Sequence, residues 1–567
     1  MKKIMDREKI TEILSELNFG SDEIADGRVA KTVAALLEII EELNSQNEKM
    51  AVEIKYLRNE IKRLKGGDGD SDKDVPDEKG PKDLSSEKER KKRKAPKKRK
   101  SKAKKHKIKV DRTEICPVDK TLLPEDAEFK GYKDVTVQEI KISTDNVLYK
   151  KEVWHSKSEG KTYIGRVPGE IKGEFGPGIK STVFVMKHVC NISEPKIVEF
   201  FDSFGVHISQ PTISRILTKG DDIGIFHREK EEIFKAGLNS ATYQHIDGTG
   251  AIVKGQNHHV QIICNPYYTA YFTLGHKDRL SIIDIFLCGN PRYYYFNEEA
   301  FDLLGGFRIS GKMMSKIRKE AFGQILDEDR MRILLEHLFP DPGKGKNNRL
   351  RIMEAGVIAY YHNQTLVPVV PILLSDNGPE YRKITENQGL CWIHEGRGYK
   401  KLNPVVPSFR EELGNFLDRY WDYYQRLSDY RDNPDPLEAE KLSAEFDDLF
   451  STVTDYPALN AKIGKTKSKK AGFLLVLRYP ETEPHNNPAE LGARGQARKR
   501  DVSLHTVSKE GTLSQDTMLT IVETAKKLGI SAYEHIFDRI CGRFKLPSLA
   551  SLIPQLKNQS TPCYDTS

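Results

Sequence analysis

Between Val29 and Leu64 apolar side chains recur with a period of seven. Leu36, Leu43, Met50, Leu57 and Leu64 form one series, and Val33, Ile40, Asn47, Ile54 and Ile61 form a second, offset by four. Branched residues in one series and mostly leucine in the other predict a parallel two-stranded coiled coil, with the lone Asn47 fixing its register at some cost in stability. An amphipathic helix packed on its own domain would show the same stripe. The charged remainder of each heptad favours self-association, hence a homodimer.

Farther along, the period shortens to two. Alternation in YKDVTVQEIKI and NVLYKKEVWHS predicts strands in a small β-rich unit. Helical spacing returns in EPKIVEFFDSFGVHISQPTISRILTKG. A helix over Pro195–Phe204, a turn at Gly205 and a second helix from Gln210 match a helix-turn-helix, with Ile197, Phe201, Val206, Ile213 and Ile216 available for its core. Pro211 is tolerated in the first turn, which leaves Gln210, Thr212, Ser214 and Arg215 as candidates for base or phosphate contact in DNA. Helical hairpins that bind nothing share this layout.

From Ala241 the order reads strand, strand, strand, helix: ATYQHIDGTG, HHVQIICN from His258, TAYFTLG from Thr269 and LSIIDIFL from Leu280. Helical stretches near Glu298–Leu304 and Ser315–Leu338 precede an apolar run, Val367–Leu374, that ends at Asp376. Antiparallel strands first and a parallel one later predict an α/β fold on a mixed sheet, whose catalytic groups would collect at strand ends. The chain divides accordingly into a helical lead-in (1–28), the coiled coil (29–65), a linker (66–112), the β-rich unit (113–180), the helix-turn-helix (181–235), the first part of the α/β domain (236–399), a helical insertion (400–478), the rest of that domain (479–545) and a flexible tail (546–567).

A chain of 567 residues exceeds one domain, and 38% hydrophobic residues suffice for a sizeable core. The formal charge of +8 is local. Residues 88–109 hold fifteen Lys or Arg and one acid, leaving 76 basic and 82 acidic residues elsewhere, a net of −6. That points to one segment for a polyanion, or to a solvated tail or targeting signal. Neither GGDGDSDKDVPDEKGPKD nor KKRKAPKKRKSKAKKHKIK can bury enough apolar surface to fold. Seven scattered cysteines, never in a CxxC pair, fit reduced thiols. Cys116, Asp119 and the distant His155 are too sparse for zinc. No run approaches the ~18 apolar residues of a membrane helix, so a cytoplasmic protein with no membrane contact is expected.

Three acids are candidates for one site: Asp247, Asp376 and Glu490 in EPHNNPAELGARGQARKR. Two divalent cations about 4 Å apart, held by carboxylates, can activate an attacking oxygen and stabilise a leaving one in phosphodiester displacement. Each acid also has a plain structural reading. Asp247 and Asp376 precede glycine-containing turns, and Glu490, three after Asn487, could close a capping box. Arg494, Arg498, Lys499 and Arg500 could track phosphates, Arg494 and Arg498 sharing a face with Glu490, or could form an ordinary solvated face.

Taken together these motifs resemble the insertion sequence 66 family of DDE transposases. The likeness rests on the zipper-like helix, QPTISRIL, LSDNGPEY followed by GLCWIHEGRGYKKL, and EPHNNPAELGARGQARKR followed by TMLTIVETAKKLGISAYEHIFDRI, and covers most of residues 30–540. It implies a ribonuclease-H-like catalytic fold in which Asp247, Asp376 and Glu490 hold magnesium or manganese. It also implies double-stranded DNA, the element's terminal repeats and a target, as partner. His394 in CWIH would contact the scissile phosphate, or pack as a helix residue. The implied activity is hydrolysis that exposes a 3′-hydroxyl, followed by attack of that hydroxyl on target DNA. A catalytically silent DNA-binding protein and a nuclease without strand transfer are the alternatives. The chain departs from the family pattern in lacking a cysteine-rich zinc segment, in the GTG that follows Asp247, and in a 129-residue interval from Asp247 to Asp376 that implies an insertion around 290–355. The 114 residues before Glu490 include FREELGNFLDRYWDYYQRL and a helix around Pro436–Phe450, resembling an all-helical insertion.

Overall fold

The computed structural model describes residues 27–64 and 110–560, apart from positions 120, 122, 125, 141, 170–172 and 342. Most of the 66–112 linker, nearly all of the 1–28 lead-in and the last seven residues lie outside that range. The heptad stretch is one helix, α1 (Gly27–Leu64). Leu36, Leu43, Met50, Ile54 and Leu57 are about half exposed, so the heptad stripe faces outward. A neighbouring face is held by the chain itself. Leu37 packs against the helical insertion, and Glu41 accepts backbone hydrogen bonds from Val405 (2.6 Å) and Val406 (2.7 Å).

Residues 113–180 correct the expectation of a β-rich domain. One antiparallel hairpin forms, β1 (Val153–Ser156) with β2 (Lys161–Ile164). The described residues of YKDVTVQEIKI make no strand, and Tyr132, Val135, Val137 and Ile140 are exposed. Alternation supplied an apolar face, but among the described residues no second layer covers it, and a lone hairpin is marginal. The end of this segment is helix α2 (Pro177–His188).

The helix-turn-helix is α3 (Glu194–Asp202) and α4 (Gln210–Thr218), followed by α5 (Asp221–Leu238). Gly205 between them has φ +72°, a left-handed turn that glycine adopts without strain, and the Ser209 hydroxyl caps α4 by accepting from the Thr212 N–H. It is no free-standing module. Phe184, Ile197, Ile213 and Phe226 share one continuous core with Ile246 and Ile263 of the sheet.

Next come β3 (Tyr243–Val253), β4 (Gln256–Asn265), β5 (Tyr268–Leu274) and α6 (Arg279–Phe286). The 290–355 region holds β6 (Tyr294–Tyr295), α7 (Glu298–Gly306), α8 (Gly311–Ala321), β7 (Ile325–Leu326), α9 (Glu328–Leu338) and α10 (Lys346–Asn363). The single helical stretch expected over Ser315–Leu338 is therefore two helices, broken around Gly323 at φ +74°. β8 (Ile372–Ser375) and β9 (Asn387–Leu390) complete a five-stranded sheet ordered β5-β4-β3-β8-β9. The first three strands are antiparallel, and β3–β8 and β8–β9 are parallel. β8 is shorter than the apolar run because Pro368 and Pro371 have no N–H to offer a ladder.

The helical insertion, α11 (Trp392–Lys400), α12 (Pro407–Tyr430), α13 (Pro436–Leu449), α14 (Pro457–Lys467), α15 (Lys470–Phe473) and α16 (Leu475–Arg478), packs around Trp392. The rings of Tyr420, Tyr423 and Phe473 lie 5.2, 5.4 and 5.3 Å from it, and its Nε1 donates to the Phe473 carbonyl at 2.8 Å. Then follow α17 (Asn487–Ser503), α18 (Lys509–Lys527), α19 (Ala532–Ile540) and α20 (Leu549–Ser560). The expected flexible tail is thus helical as far as Ser560, with Leu549 and Ile553 fully buried.

β5 is an edge strand whose outward N–H groups α18 satisfies in series. Thr524 Oγ1 accepts from Thr269 (3.2 Å), Thr520 Oγ1 from Tyr271 (3.1 Å) and Asp516 Oδ2 from Thr273 (2.7 Å). Four helical residues rise about 6 Å and two strand residues about 6.8 Å, so the two ladders stay in step. Among the described residues no helix is long and apolar enough to cross a membrane. Thr520→Val keeps the side chain's shape and strips the acceptor from the Tyr271 N–H; it is expected to cost about 1–3 kcal/mol in urea unfolding, and an unchanged midpoint would show that this ladder contributes nothing.

Candidate active site

The parallel pairing of β3 and β8 sets Tyr243 opposite Ile372 and His245 opposite Leu374. Asp247 and Asp376 each follow two residues later, so the two acids sit at the same edge of the sheet. The third acid arrives on α17, which lies across β3 and β4. A Cβ on Gly492 would stand 2.7 Å from Ile262 Cγ2, so only glycine allows so close an approach. The N-terminus of α17 is pinned by the buried Asn486. Its Nδ2 donates to the Ile246 carbonyl at 2.8 Å, its Oδ1 lies 3.0 Å from His245 Nδ1, and its N–H reaches Cys391 Sγ at 3.3 Å. One asparagine therefore ties the residue before Asp247 to both α17 and the start of α11.

The acids sense one another. Burial pushes the Asp247 carboxyl up to about 7, with Asp376 and then Glu490 adding like charge, while the Gly248 N–H and Lys277 pull it back. Burial also raises Glu490, with a further push from Asp376, against the attraction of Arg397, His394 and Arg494. Arg397 Nη1 lies 3.7 Å from Glu490 Oε2. Among the described residues no group of three or more His, Cys, Asp or Glu side chains converges closely enough to hold a metal ion. The turn readings are realised alongside the cluster: Asp247 Oδ1 accepts from Gly248 N–H at 2.8 Å and Asp376 Oδ1 from Gly378 N–H at 3.2 Å, with Asn377 at φ +73°. The capping box is not, for among the described residues no side-chain hydrogen bond caps α17.

Around the acids stand groups that sequence reasoning did not single out. Tyr381 is buried and its hydroxyl donates to Gln261 Oε1 at 2.8 Å. Burial and the charges of Asp247, Glu380 and Asp376 hold that phenol far above its ordinary range, so it stays protonated. Gly248 makes room for it, since a Cβ there would lie 2.9 Å from the Tyr381 oxygen. Lys277 bridges to Glu380 at 2.8 Å. Tyr381 closes the LSDNGPEY motif, Arg397 follows CWIH and Asn486 opens the NNPAE run, whereas no sequence signal marked Lys277.

The remaining candidates separate by exposure. His394 is exposed near the start of α11, its N–H resting on Cys391 Sγ at 3.4 Å. On α4, Gln210 and Arg215 are exposed, and Thr212 and Ser214 half-buried, the Thr212 hydroxyl lying 3.0 Å from Ser209 Oγ. On α17, Arg498 is exposed, Arg494 half-buried, and Arg500 donates to the Gly250 carbonyl at 2.7 Å. Lys499 corrects the expectation of a phosphate contact. It is 1% exposed, its Nζ bonds the Lys187 carbonyl, and burial lowers its ammonium to about 7. Helical periodicity is the reason: Lys499 follows Gly492 and Gln496 down the packed face, at spacings of four and three.

Because folding raises the Asp247 pKa, the native state holds its proton more tightly than the unfolded chain. Ionisation therefore erodes stability as pH climbs from about 4 to about 7. Asp247→Asn is expected to be as stable as the parent near pH 4 and more stable at pH 8, by an amount on the order of 4 kcal/mol. Parallel melting-temperature curves across that range would sink the assignment.

No family model matches the chain, and no solved structure matches it. A curated protein does: uncharacterized protein y4jO of Sinorhizobium fredii is 31% identical over 310 residues, which take in 54% of this chain and 94% of that protein. At that identity, and with y4jO covered almost end to end, the chain belongs to the family of y4jO.

Proposed function

We propose that the protein is a DNA transposase of a bacterial-type insertion sequence, acting through Asp247, Asp376 and Glu490 on a ribonuclease-H-like sheet. The observation that carries this reading is the β3–β8 register, which draws two acids 129 residues apart to one sheet edge, within electrostatic reach of Glu490. The strand order, three antiparallel and then two parallel, fits the fold that the motifs imply.

Magnesium, or manganese, would be held by the oxygens of Asp247, Asp376 and Glu490, and when bound supplies the Lewis acidity for displacement at phosphorus. The donor chemistry suits it: oxygen only and largely buried, burial being what raises the carboxyls of Asp247 and Glu490. Asp247 must release its proton to ligate, a step that Lys277 favours. Arg397 offsets the charge of Glu490, and His394 is open to the phosphate being cut. Protonated Tyr381 holds Gln261 beneath Gly248, which fixes the floor of the site. Water attacks the phosphodiester at the element end, releasing a 3′-hydroxyl; that hydroxyl then attacks target DNA and displaces another 3′ oxygen, with no covalent protein intermediate. Gln210 and Arg215 on α4 are the outward groups for DNA, and residues 88–109 add contacts that weaken with salt. The outward stripe of α1 suits pairing with a second copy in the cytoplasm. A second reading, a DNA-binding protein that does not cut, draws support from one fact: no three acids converge to metal-binding distance among the described residues.

Incubation of the full chain with labelled element ends and magnesium is expected to give nicked ends and joined product. Asp247→Asn, Asp376→Asn and Glu490→Gln should each lower cleavage about a hundredfold or more. Normal cutting by any one removes that residue from the site; cleavage without joining leaves a nuclease, and no cleavage favours the silent reading. Separately, Leu43→Glu with Leu57→Glu should halve the mass seen by light scattering, and an unchanged mass would take the stripe out of the dimer.

A further inference from the structure

Behind the turn that follows Asp376 lies a cleft of about 480 Å³, lined by Arg279, Gly306, Phe307, Arg308, Arg351 and Glu354. Arg279 is built into its wall. It bonds Glu354 Oε2 (2.7 Å), the Pro379 carbonyl (2.7 Å) and the Arg382 carbonyl (2.8 Å), so the cleft shares a guanidinium with the Pro379–Tyr381 turn. Its charge is answered by the buried Glu354. Three further cations, Arg308, Arg351 and Lys383, have no ion pair among the described residues. Lys383 reaches the rim, its Nζ 5.4 Å from the Phe307 ring centroid, and so near Gly306 that a Cβ there would lie 1.8 Å from it.

Two of these cations occupy backbone that resists them. Arg308 has φ +61° and Lys383 φ +66°, a left-handed region unfavourable to L side chains. Arg308 follows the C-cap of α7, its N–H bonded to the Gly305 carbonyl at 2.9 Å, where glycine is the common choice. Strained backbone at a concave surface is a pointer to function, and here both strained residues carry unanswered positive charge. The ligand must be anionic. Phosphate of a DNA backbone fits better than a nucleotide, because Phe307 is buried, with Arg279 at 4.9 Å and Lys383 at 5.4 Å from its ring centroid, and offers little aromatic surface to a base.

We infer that this cleft grips a DNA phosphate away from the scissile position, through Arg308, Arg351 and Lys383, beside the turn that carries Asp376. The inference rests on the proposed DNA role. The test is fluorescence anisotropy of the full chain on labelled duplex element ends in chelator, between about 50 and 200 mM salt. Arg308→Gly with Lys383→Gly removes two of the three cations on that phosphate and should flatten the slope of log K against log salt by about 0.9, with melting unchanged or raised because glycine relieves the backbone. Arg351→Gln, in mid-helix, should flatten it in the same direction by a smaller amount. Parent slopes in both variants overturn the inference. Titration with ATP is the second arm: micromolar binding abolished by the same substitutions would reassign the cleft to a nucleotide. Failed cleavage by a parent chain that still binds DNA removes only the catalytic reading, whereas absence of DNA binding by every form removes both.

Discussion

A parallel strand pair tolerates no slip, and here the pairing of β3 with β8 spans only three residue pairs. Side chains alternate across a strand, so a shift of one residue would send Asp376 to the opposite face from Asp247. The register has no tight turn to set it, because parallel strands are joined by long crossovers. It is fixed instead by burial: Tyr243, Ile246, Ile372 and Leu374 are buried, and each would exchange its environment on slipping. Asn486 then transmits that register to the third acid, since it is hydrogen-bonded to His245 and Ile246 on one side and opens α17 on the other.

The rest of the molecule keeps this small parallel seam from moving. α18 closes the far edge of the sheet with a ladder of side-chain acceptors, removing the open hydrogen-bonding groups that leave edge strands prone to further pairing. On the other flank the Trp392 cluster forms a separate aromatic core. The Trp392 N–H is accepted by the Pro484 carbonyl at 3.1 Å, joining that core to the segment that leads into Glu490. The polar acids are thus suspended between two apolar bodies, which explains why burial dominates the shift of Asp247.

What sequence made legible was whatever local physics decides. Gly205 and Pro211 mark the start of the second helix of the α3–α4 pair, the apolar runs in HHVQIICN and TAYFTLG mark strands buried in layers, and both emerge within two residues of expectation. What it hid depended on partners far along the chain. YKDVTVQEIKI alternates as well as any strand, yet nothing among the described residues covers it. Lys499 looked like one more cation in a basic run until α2 packed over it. Leu549 and Ile553 read as a tail because their burial needs α5, some 320 residues upstream. Asn486 and Tyr381 escaped notice for the same reason, as their hydrogen-bond partners Ile246 and Gln261 lie 240 and 120 residues away.

The contact of Glu41 with the N–H groups of Val405 and Val406 has a mechanical meaning. Those amides sit at the entry to α12, where the helix leaves donors unsatisfied, so a carboxylate from α1 serves as a cap from outside. The long helix is thereby fastened to the insertion a little over a third of the way along, and its 38 residues span about 57 Å. Any second chain that joined along the outward stripe would inherit a set distance and angle to this sheet, making α1 a spacer bar between two sites and the Glu41 carboxylate the bolt that stops it from swivelling.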